Sequence, residues 1–274
     1  MYIVSAVLNG NKSTVALFDK EYKLLAKTEG TQQELCQLCL NVIAENGAKT
    51  ADVDYIGVAV DGALGAPASV AAELEKNTGV KCCGASLIGA KALGEAYTAG
   101  DVPFLVDIKI DDKVECGVVS DKKIYFGMNQ QEVNVSSMVI AFGGYECDCG
   151  RKGCFEAYAS NSGLKRIAAE AGVAGAENLT HKELFAMNTP EAECAKKLYV
   201  EYLANGITNI INLFQPNELV LEGPFTEVGD ALNAPMMDII LREQYTHSMP
   251  NKCNIRSANC EADTALIGAA LLGR

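Results

Sequence analysis

The sequence predicts an α/β protein of two lobes, each a mixed sheet covered by helices. Three observations predict it. A β-meander pattern opens the chain and recurs after residue 103, buried-strand runs alternate with helical stretches, and 274 residues with 49% apolar content supply core for two lobes.

Over the first 28 residues, apolar and polar side chains alternate around short Gly, Asn and Asp breaks, which predicts an antiparallel meander with strands near 2–8, 13–19 and 22–28. A helix is expected from about 32 to 46. The run Tyr55-Ile-Gly-Val-Ala-Val60, ending at Asp61-Gly62, reads as a buried strand. A helix near 68–77, a short strand near 80–83 ending on Cys82-Cys83, and a helix near 86–98 complete a first lobe, 1–102. Beyond the break at Gly100-Asp-Val-Pro103, strands near 104–110, 114–120 and 123–126 open a second lobe, 103–261, with a second meander. Helices dominate from 155 to 214, and Leu219-Val-Leu221 reads as a strand. The apolar stretch Ala265 to Leu272 closes the chain as a helix, within 262–273, that packs back on the first lobe.

A net charge of −12 and a pI near 4.7 oppose binding to a phosphate backbone, so no nucleic-acid partner is expected. Eighteen consecutive uncharged apolar residues occur nowhere, and the start lacks the basic region and cleavage site of a signal peptide; a cytoplasmic protein with no membrane contact is expected. In that compartment eleven Cys read as thiols or metal ligands rather than disulfides. Eight of them sit in apolar or helical settings, or lack a clustered partner, and read as buried small hydrophobes.

The other three form a knuckle. Cys147-Asp-Cys149-Gly150-Arg-Lys-Gly153-Cys154 places three thiols within eight residues, with Gly where a backbone folding round an ion needs unusual φ or close approach. A plain turn is built from Asn, Asp and Gly and gains nothing from three Cys, so a metal-site origin is favoured. Tetrahedral zinc needs a fourth ligand, and His181 and His247 both lie well outside the knuckle in sequence. Ser137, Glu146, Asp148, a water or a distant side chain are the candidates, and a site that has lost its metal stays open beside them.

The continuation Gly153-Cys-Phe-Glu-Ala-Tyr-Ala-Ser160 resembles the ROK family of sugar kinases and sugar-responsive repressors, whose C-x-C-G-x-x-G-C-L-E-x-Y-A-S run carries structural zinc. Gly206 to Pro216 is similar to the family's long helix and following turn, and Asn217 to Gly223 continues the match. Ala265 to Leu272, Ala92-Leu-Gly-Glu-Ala96 and Val15-Ala-Leu-Phe-Asp19 extend it over nearly the whole chain. The resemblance implies a two-lobe actin-like, ribonuclease H-like ATPase fold, ATP-dependent phosphorylation of a sugar, a zinc site and a homodimer.

Sugar phosphorylation on this scaffold needs a carboxylate base, Gly-rich phosphate turns, a metal-associated acid and a polar cradle for the sugar. By the resemblance, the first phosphate turn, D-x-G-G-T-K, falls on Val7 to Lys12, keeping Gly10 and Lys12 while Val7 replaces the acid. Lys12 in a hairpin turn reads first as a solvated surface charge. The base position falls on Leu87, beside Ser86, and Leu cannot accept a proton. The second phosphate turn falls on Asp111 to Gly117, where Asp111, Asp112 and Glu115 replace small residues and only Lys113 offsets them. Like charges about 4 Å apart cost on the order of 1 kcal/mol in water and about 4 at a shielded site, which opposes a triphosphate there. The sugar-contacting segment falls on Val133 to Met138, with Asn134 for its Glu and Ser137 for its His, a residue that is also the family's fourth zinc ligand. Glu156 survives as a sugar-contacting carboxylate or as a helix-start acid.

These replacements lead to the expectation of a pseudokinase with a ligand-binding or regulatory role for a small sugar-like molecule, without efficient use of ATP and magnesium. The expected site residues are Glu156 and Asn134 for substrate, Gly10, Lys12, Gly117 and Gly223 as nucleotide-site remnants, and Cys147, Cys149 and Cys154 for zinc. A divergent kinase for a hexose or N-acetylhexosamine, recruiting Asp61 or Asp107 as base, is the alternative. A ROK-type regulator without its DNA-binding domain is the third, since the chain carries no helix-turn-helix extension.

Overall fold

In the computed structural model, every residue is described except 129–130, 246–247, 250–251 and 260–262. β1 (Tyr2–Asn9), β2 (Lys12–Asp19) and β3 (Leu24–Thr31) form an antiparallel meander, with Asn9 paired to Lys12 across Gly10-Asn11. β3 starts later than the sequence suggests because Tyr22 takes a left-handed φ of 61° and extends the turn. A single 3-10 turn at Gln32–Glu34 then leads into α1 (Leu35–Glu45); the Glu34 carboxylate accepts the Thr31 N–H at 2.8 Å.

β4 (Val53–Val60) lies parallel to β1, and β5 (Cys82–Ser86) lies parallel to β4, giving the order β3-β2-β1-β4-β5. The expected strand near 80–83 is therefore displaced: Cys82-Cys83 begins it rather than ending it, because the pairing runs from Ile56↔Cys82 to Val60↔Ser86. α2 (Pro67–Thr78) precedes β5, and α3 (Leu87–Thr98) follows it directly, with the Ser86 hydroxyl accepting the Gly89 N–H at 3.0 Å as N-cap. β1 is buried on both faces. Val4, Ala6 and Leu8 pack with Cys39, Val42 and Ile43 of α1, while Ile3 packs with Phe18, Tyr55 and Leu266.

β6 (Phe104–Ile110), β7 (Val114–Ser120) and β8 (Lys123–Ile124) open the second sheet, whose order is β10-β9-β6-β7-β8 with β9 (Glu218–Glu222) and β10 (Asn254–Ser257) parallel. Numbered from each meander, the two sheets have the same strand order. β8 is shorter than expected, and Tyr125 and Phe126 lie exposed beyond it. The helical stretch resolves into α4 (Phe155–Ala159), α5 (Asn161–Glu170), α6 (His181–Ala186) and α7 (Pro190–Phe214). α7 starts on a Thr189 cap with Pro190 at its first turn, and stops where Gln215 turns left-handed at φ 46°. α8 (Asp230–Glu243) escapes sequence reading because Pro235 lies inside it, yet Leu232, Met236 and Ile240 recur every fourth residue as its buried face.

Residue 262, the expected start of the closing helix, lies outside the described residues, as does His247. α9 (Thr264–Leu271) packs against α3, β1 and β4. A Cβ at Gly268 would stand 1.7 Å from the Ala90 carbonyl oxygen, so α9 and α3 cross backbone against backbone.

Two compact units result: Met1–Leu105 with Gly117–Glu132 and Asn259–Arg274, and Val106–Cys116 with Val133–Ala258. Gly117–Glu132 thus groups with the first unit although it follows residue 103. Among the described residues, no helix is long and apolar enough to cross a membrane. The cysteines expected as buried hydrophobes are corrected in part. Cys39 and Cys116 are buried, but Cys36, Cys82, Cys83 and Cys253 are half-buried, and Cys194 is exposed on the outer face of α7; Cys260 lies outside the described residues.

Candidate functional site

In the second unit, the three knuckle thiols meet. The Sγ atoms of Cys147, Cys149 and Cys154 all lie within 4.8 Å of one another, and Cys149 and Cys154 are 3.5 Å apart. Zn–S bonds of about 2.3 Å put the sulfurs of a tetrahedral site roughly 3.8 Å apart, so the cluster fits a zinc ion with little movement. The loop folds this way because Gly150 and Gly153 take φ of 83° and 78°, allowing Gly150 N–H to bond Cys147 O at 2.9 Å and Gly153 N–H to bond Tyr145 O at 2.8 Å. Cys154 then caps α4 from within the core.

The Arg151 backbone N–H, with the Cys147 and Cys154 thiols, pulls the exposed Cys149 thiol down to about 7. Burial, with the neighbouring thiols, pushes Cys154 up to about 12. One thiol of the three is thus about half ionised at neutral pH, and a bound cation would favour ionisation of all three. Of the candidate fourth donors, the Ser137 side chain reaches Cys149, and its carbonyl accepts Arg151 Nη1 at 2.9 Å. Glu146 is exposed and pairs with Lys152 at 3.1 Å, and Asp148 is exposed. His181 is buried in contact with Tyr199, at 2.8 Å.

In the first unit, the positions where an acid and a base were expected are both apolar and share one neighbour set. Val7 and Leu87 pack against the buried cluster Ala59, Ala90 and Ala269. Gly10 sits in the β1–β2 turn at φ 56°, and Lys12 pairs with Glu29 of β3 at 2.8 Å, both side chains about half exposed. Gly117 is fixed by packing: a Cβ there would stand 2.5 Å from the Ile88 carbonyl oxygen of α3. Asp61 accepts the Ala63 N–H at 3.0 Å and caps the short 3-10 turn Gly62–Leu64.

The acids of the β6–β7 turn are held within the second unit. Lys109 lies 2.8 Å from both Asp111 and Glu115, and Asn161 donates its side-chain N–H to Asp112 at 2.9 Å. Burial lowers and the two carboxylates more than restore the Lys109 pKa, which ends above its ordinary value; Asp111, despite partial burial, is held below the usual range by Lys109. Asp107 is fully buried in β6. Glu156 accepts the Val114 N–H at 3.0 Å, so β7 fixes its carboxylate. Asn134 bonds within its own turn, accepting from Ser136 Oγ at 2.8 Å and Ser137 N–H at 3.2 Å. Gly223, at φ 132°, lies where a Cβ would be 1.9 Å from the Ile110 carbonyl oxygen.

One polar group at the head of α3 escapes sequence reasoning. The carboxylate of Glu132 accepts both the backbone N–H and the hydroxyl of Ser86, at 3.1 and 2.5 Å. Comparison with the sugar-contacting motif draws attention to Asn134, two residues further on. The only local signal is an acid closing the polar run Asn129-Gln-Gln-Glu132.

Two sheets of identical strand order and a three-thiol loop leading into α4 define an α/β protein of duplicated architecture. The ROK family's sequence profile matches residues 7–274, and the chain belongs to that family. It is similar to a glucokinase of Halalkalibacterium halodurans, 32% identical over 164 residues that cover 53% of this chain and 49% of that one. It is also similar to the xylose repressor of Bacillus subtilis strain 168, 27% identical over 151 residues covering 52% of this chain and 36% of the repressor. The matches therefore span between about a third and a half of these relatives' lengths. The crystal structure of a ROK hexokinase from Thermus thermophilus superposes with a TM-score of 0.82 at 22% identity, covering 99% of this chain and 98% of that one. The fold is the two-lobe actin-like one.

Proposed function

We propose that this ROK-family chain binds a small sugar or sugar-like ligand and has lost efficient phosphotransfer from ATP. The observation that carries the reading is the shared packing of Val7 and Leu87 on Ala59, Ala90 and Ala269, which puts apolar contact where a magnesium-organising acid and a proton acceptor were expected. A positioned base contributes typically a hundredfold to ten-thousandfold in rate. The internal ion pairs of Asp111 and Glu115 with Lys109 support the same reading, since a triphosphate placed at that turn meets carboxylates rather than open backbone donors. Glu156, Asn134 and the remnants Gly10, Lys12, Gly117 and Gly223 remain proposed contacts, with Cys147, Cys149 and Cys154 as zinc ligands. A cytoplasmic homodimer without nucleic-acid contact completes the proposal.

Purified protein is mixed with magnesium-ATP and a panel of hexoses and N-acetylhexosamines, and ADP release is followed alongside the shift in melting temperature. Sugar-dependent stabilisation without turnover is the expected result. Turnover on the order of 1 to 1,000 per second with any of these sugars overturns it.

A second reading, a divergent ATP-dependent sugar kinase, is favoured by the 32% identity to a protein named glucokinase. The same assay decides between the two. A regulatory role draws on the similarity to a xylose repressor.

A further inference from the structure

Within the first unit, β5, α3, the strand β8 with the turn before it, and the end of α9 enclose a cavity of about 350 Å³. Ligand pockets span roughly 300 to 1,000 Å³. Its walls are apolar: Leu93, Ile124 and Leu271 are buried, Leu272 is half-buried and Phe126 is exposed. The exposed Lys122, Lys123 and Arg274 and the half-buried Cys83 also line it, whereas none of its described lining residues is acidic. In a chain of net charge −12 this is a local reversal of sign. Asp101 pairs with Lys122 Nζ at 2.6 Å and with Arg274 Nη1 at 3.3 Å, and the Arg274 guanidinium lies 5.8 and 6.0 Å from the Tyr97 and Tyr22 ring centres. Asp121 and Lys122 form the hairpin turn with φ of 50° and 67°, and Tyr22 and Asp101 are left-handed too. Four of the five non-glycine residues with positive φ among the described residues thus gather around Arg274. Backbone of this kind persists where surrounding contacts over-determine it, as at ligand clamps. Lys123 makes no ion pair among the described residues, which leaves its charge for a ligand.

We propose that this cavity binds a small organic acid, with its apolar body against Leu93, Ile124, Phe126 and Leu271 and its carboxylate at Lys123. Three cationic side chains repel a cationic ligand, and a neutral apolar one gains burial but no charge-assisted hydrogen bond. A bare hydrophilic anion would lose water against walls that offer it nothing in return. An anion with an apolar body satisfies both the walls and the rim. None of the lining residues belongs to the expected sugar, nucleotide or zinc positions, so the proposal stands apart from the sugar-binding reading. A bound acid bridges residue 83, residues 122–126 and residues 271–274, segments far apart in the chain, and therefore stabilises the first unit.

The test uses the full chain and two readouts. Calorimetry compares phenylacetate and hexanoate with their uncharged matches, phenylethanol and hexanol, and with acetate and inorganic phosphate as anions without an apolar body. The two acids are expected to bind about tenfold or more tightly than every other probe. Lys123→Glu should remove that preference while leaving the alcohols unchanged, and Lys20→Glu, in the exposed β2–β3 turn, should alter neither. In the second readout, bound acid slows alkylation of Cys83 by a maleimide in proportion to site occupancy, followed at residue 83 by fragment mass spectrometry. The exposed Cys194 should react at an unchanged rate. Acids that bind no better than their alcohols, or not at all, overturn the proposal. Acids that bind but leave Cys83 unprotected overturn it as well, since they bind elsewhere, and a Cys83 inert in the free chain shows the cavity shut and does the same. A folded Lys123→Glu that keeps the wild-type preference overturns the placing of the carboxylate. Should that variant not fold, protection of Cys83 decides alone.

Discussion

His181 Nε2 and the Tyr199 hydroxyl stand 2.8 Å apart, and the same hydroxyl donates to the Ala159 carbonyl, also at 2.8 Å. A phenol has one proton to give, so the ring nitrogen is the donor and His181 is the neutral Nε2–H tautomer. Burial pushes its pKa down to about 4. Between pH 6.5 and 4 the unfolded chain takes up a proton that the folded chain refuses. The stability from neutral His181 is therefore complete above pH 6.5 and is lost as pH falls towards 4, a loss of roughly 3 kcal/mol. Urea titrations at pH 7, 5.5 and 4.5 are expected to show this decline, and His181→Gln to flatten that segment of the profile.

Replacing Lys109 by Met is expected to destabilise the chain at neutral pH, because Asp111 and Glu115 would face each other without their shared cation. Asp111 has a depressed folded pKa, so its contribution is present above the ordinary Asp value of about 3.9 and disappears as pH falls through the lower folded value. The stability gap between wild type and Lys109→Met should thus be widest between about pH 5 and 10 and narrow as pH falls through the depressed folded value of Asp111. A gap that does not narrow on acidification would assign the effect to lost packing of the Lys stem instead.

At Gly268 the added methyl of Gly268→Ala meets the Ala90 carbonyl oxygen at 1.7 Å, and neither helix backbone can yield without moving the other. Overpacking of this kind costs typically 1–3 kcal/mol. Thermal melts should show a loss of about 2 kcal/mol or more, with the helical signal of the folded state retained.

Zinc added to metal-free protein is expected to raise its melting temperature, with about one ion per chain by elemental analysis. Cys149→Ala and Cys154→Ala should each abolish the shift. Cys194→Ala, on the exposed face of α7, serves as the control and should leave it unchanged.

The order of elements was legible in the sequence wherever a period was strong. β1, β2 and β4 are runs buried along most of their length, and the end of α7 is marked by the break at Gln215-Pro216, whereas its start at Thr189-Pro190 was not separated from the helical stretch before it. α8 was hidden by Pro235. β10 is four residues long, with no fully buried position to mark it. The thiol cluster was readable because its three members share one loop. The Glu132–Ser86 pair was not, since nothing in a sequence relates a loop acid to a helix cap 46 residues earlier. The Lys109 triad lay between these cases: its charges are adjacent along a hairpin, but their mutual neutralisation depends on which side of the pleat each faces.

α9 packs against β1 and β4, strands synthesised roughly two hundred residues or more before it. A nascent chain extended only to residue 258 contains every segment of the second unit, whereas the first still lacks the helix that covers Ile3, Phe18, Tyr55 and the Ala59–Ala90 patch. The first unit therefore completes its fold only after all of the second has been synthesised. During synthesis its uncovered apolar face is a surface exposed to aggregation until α9 arrives.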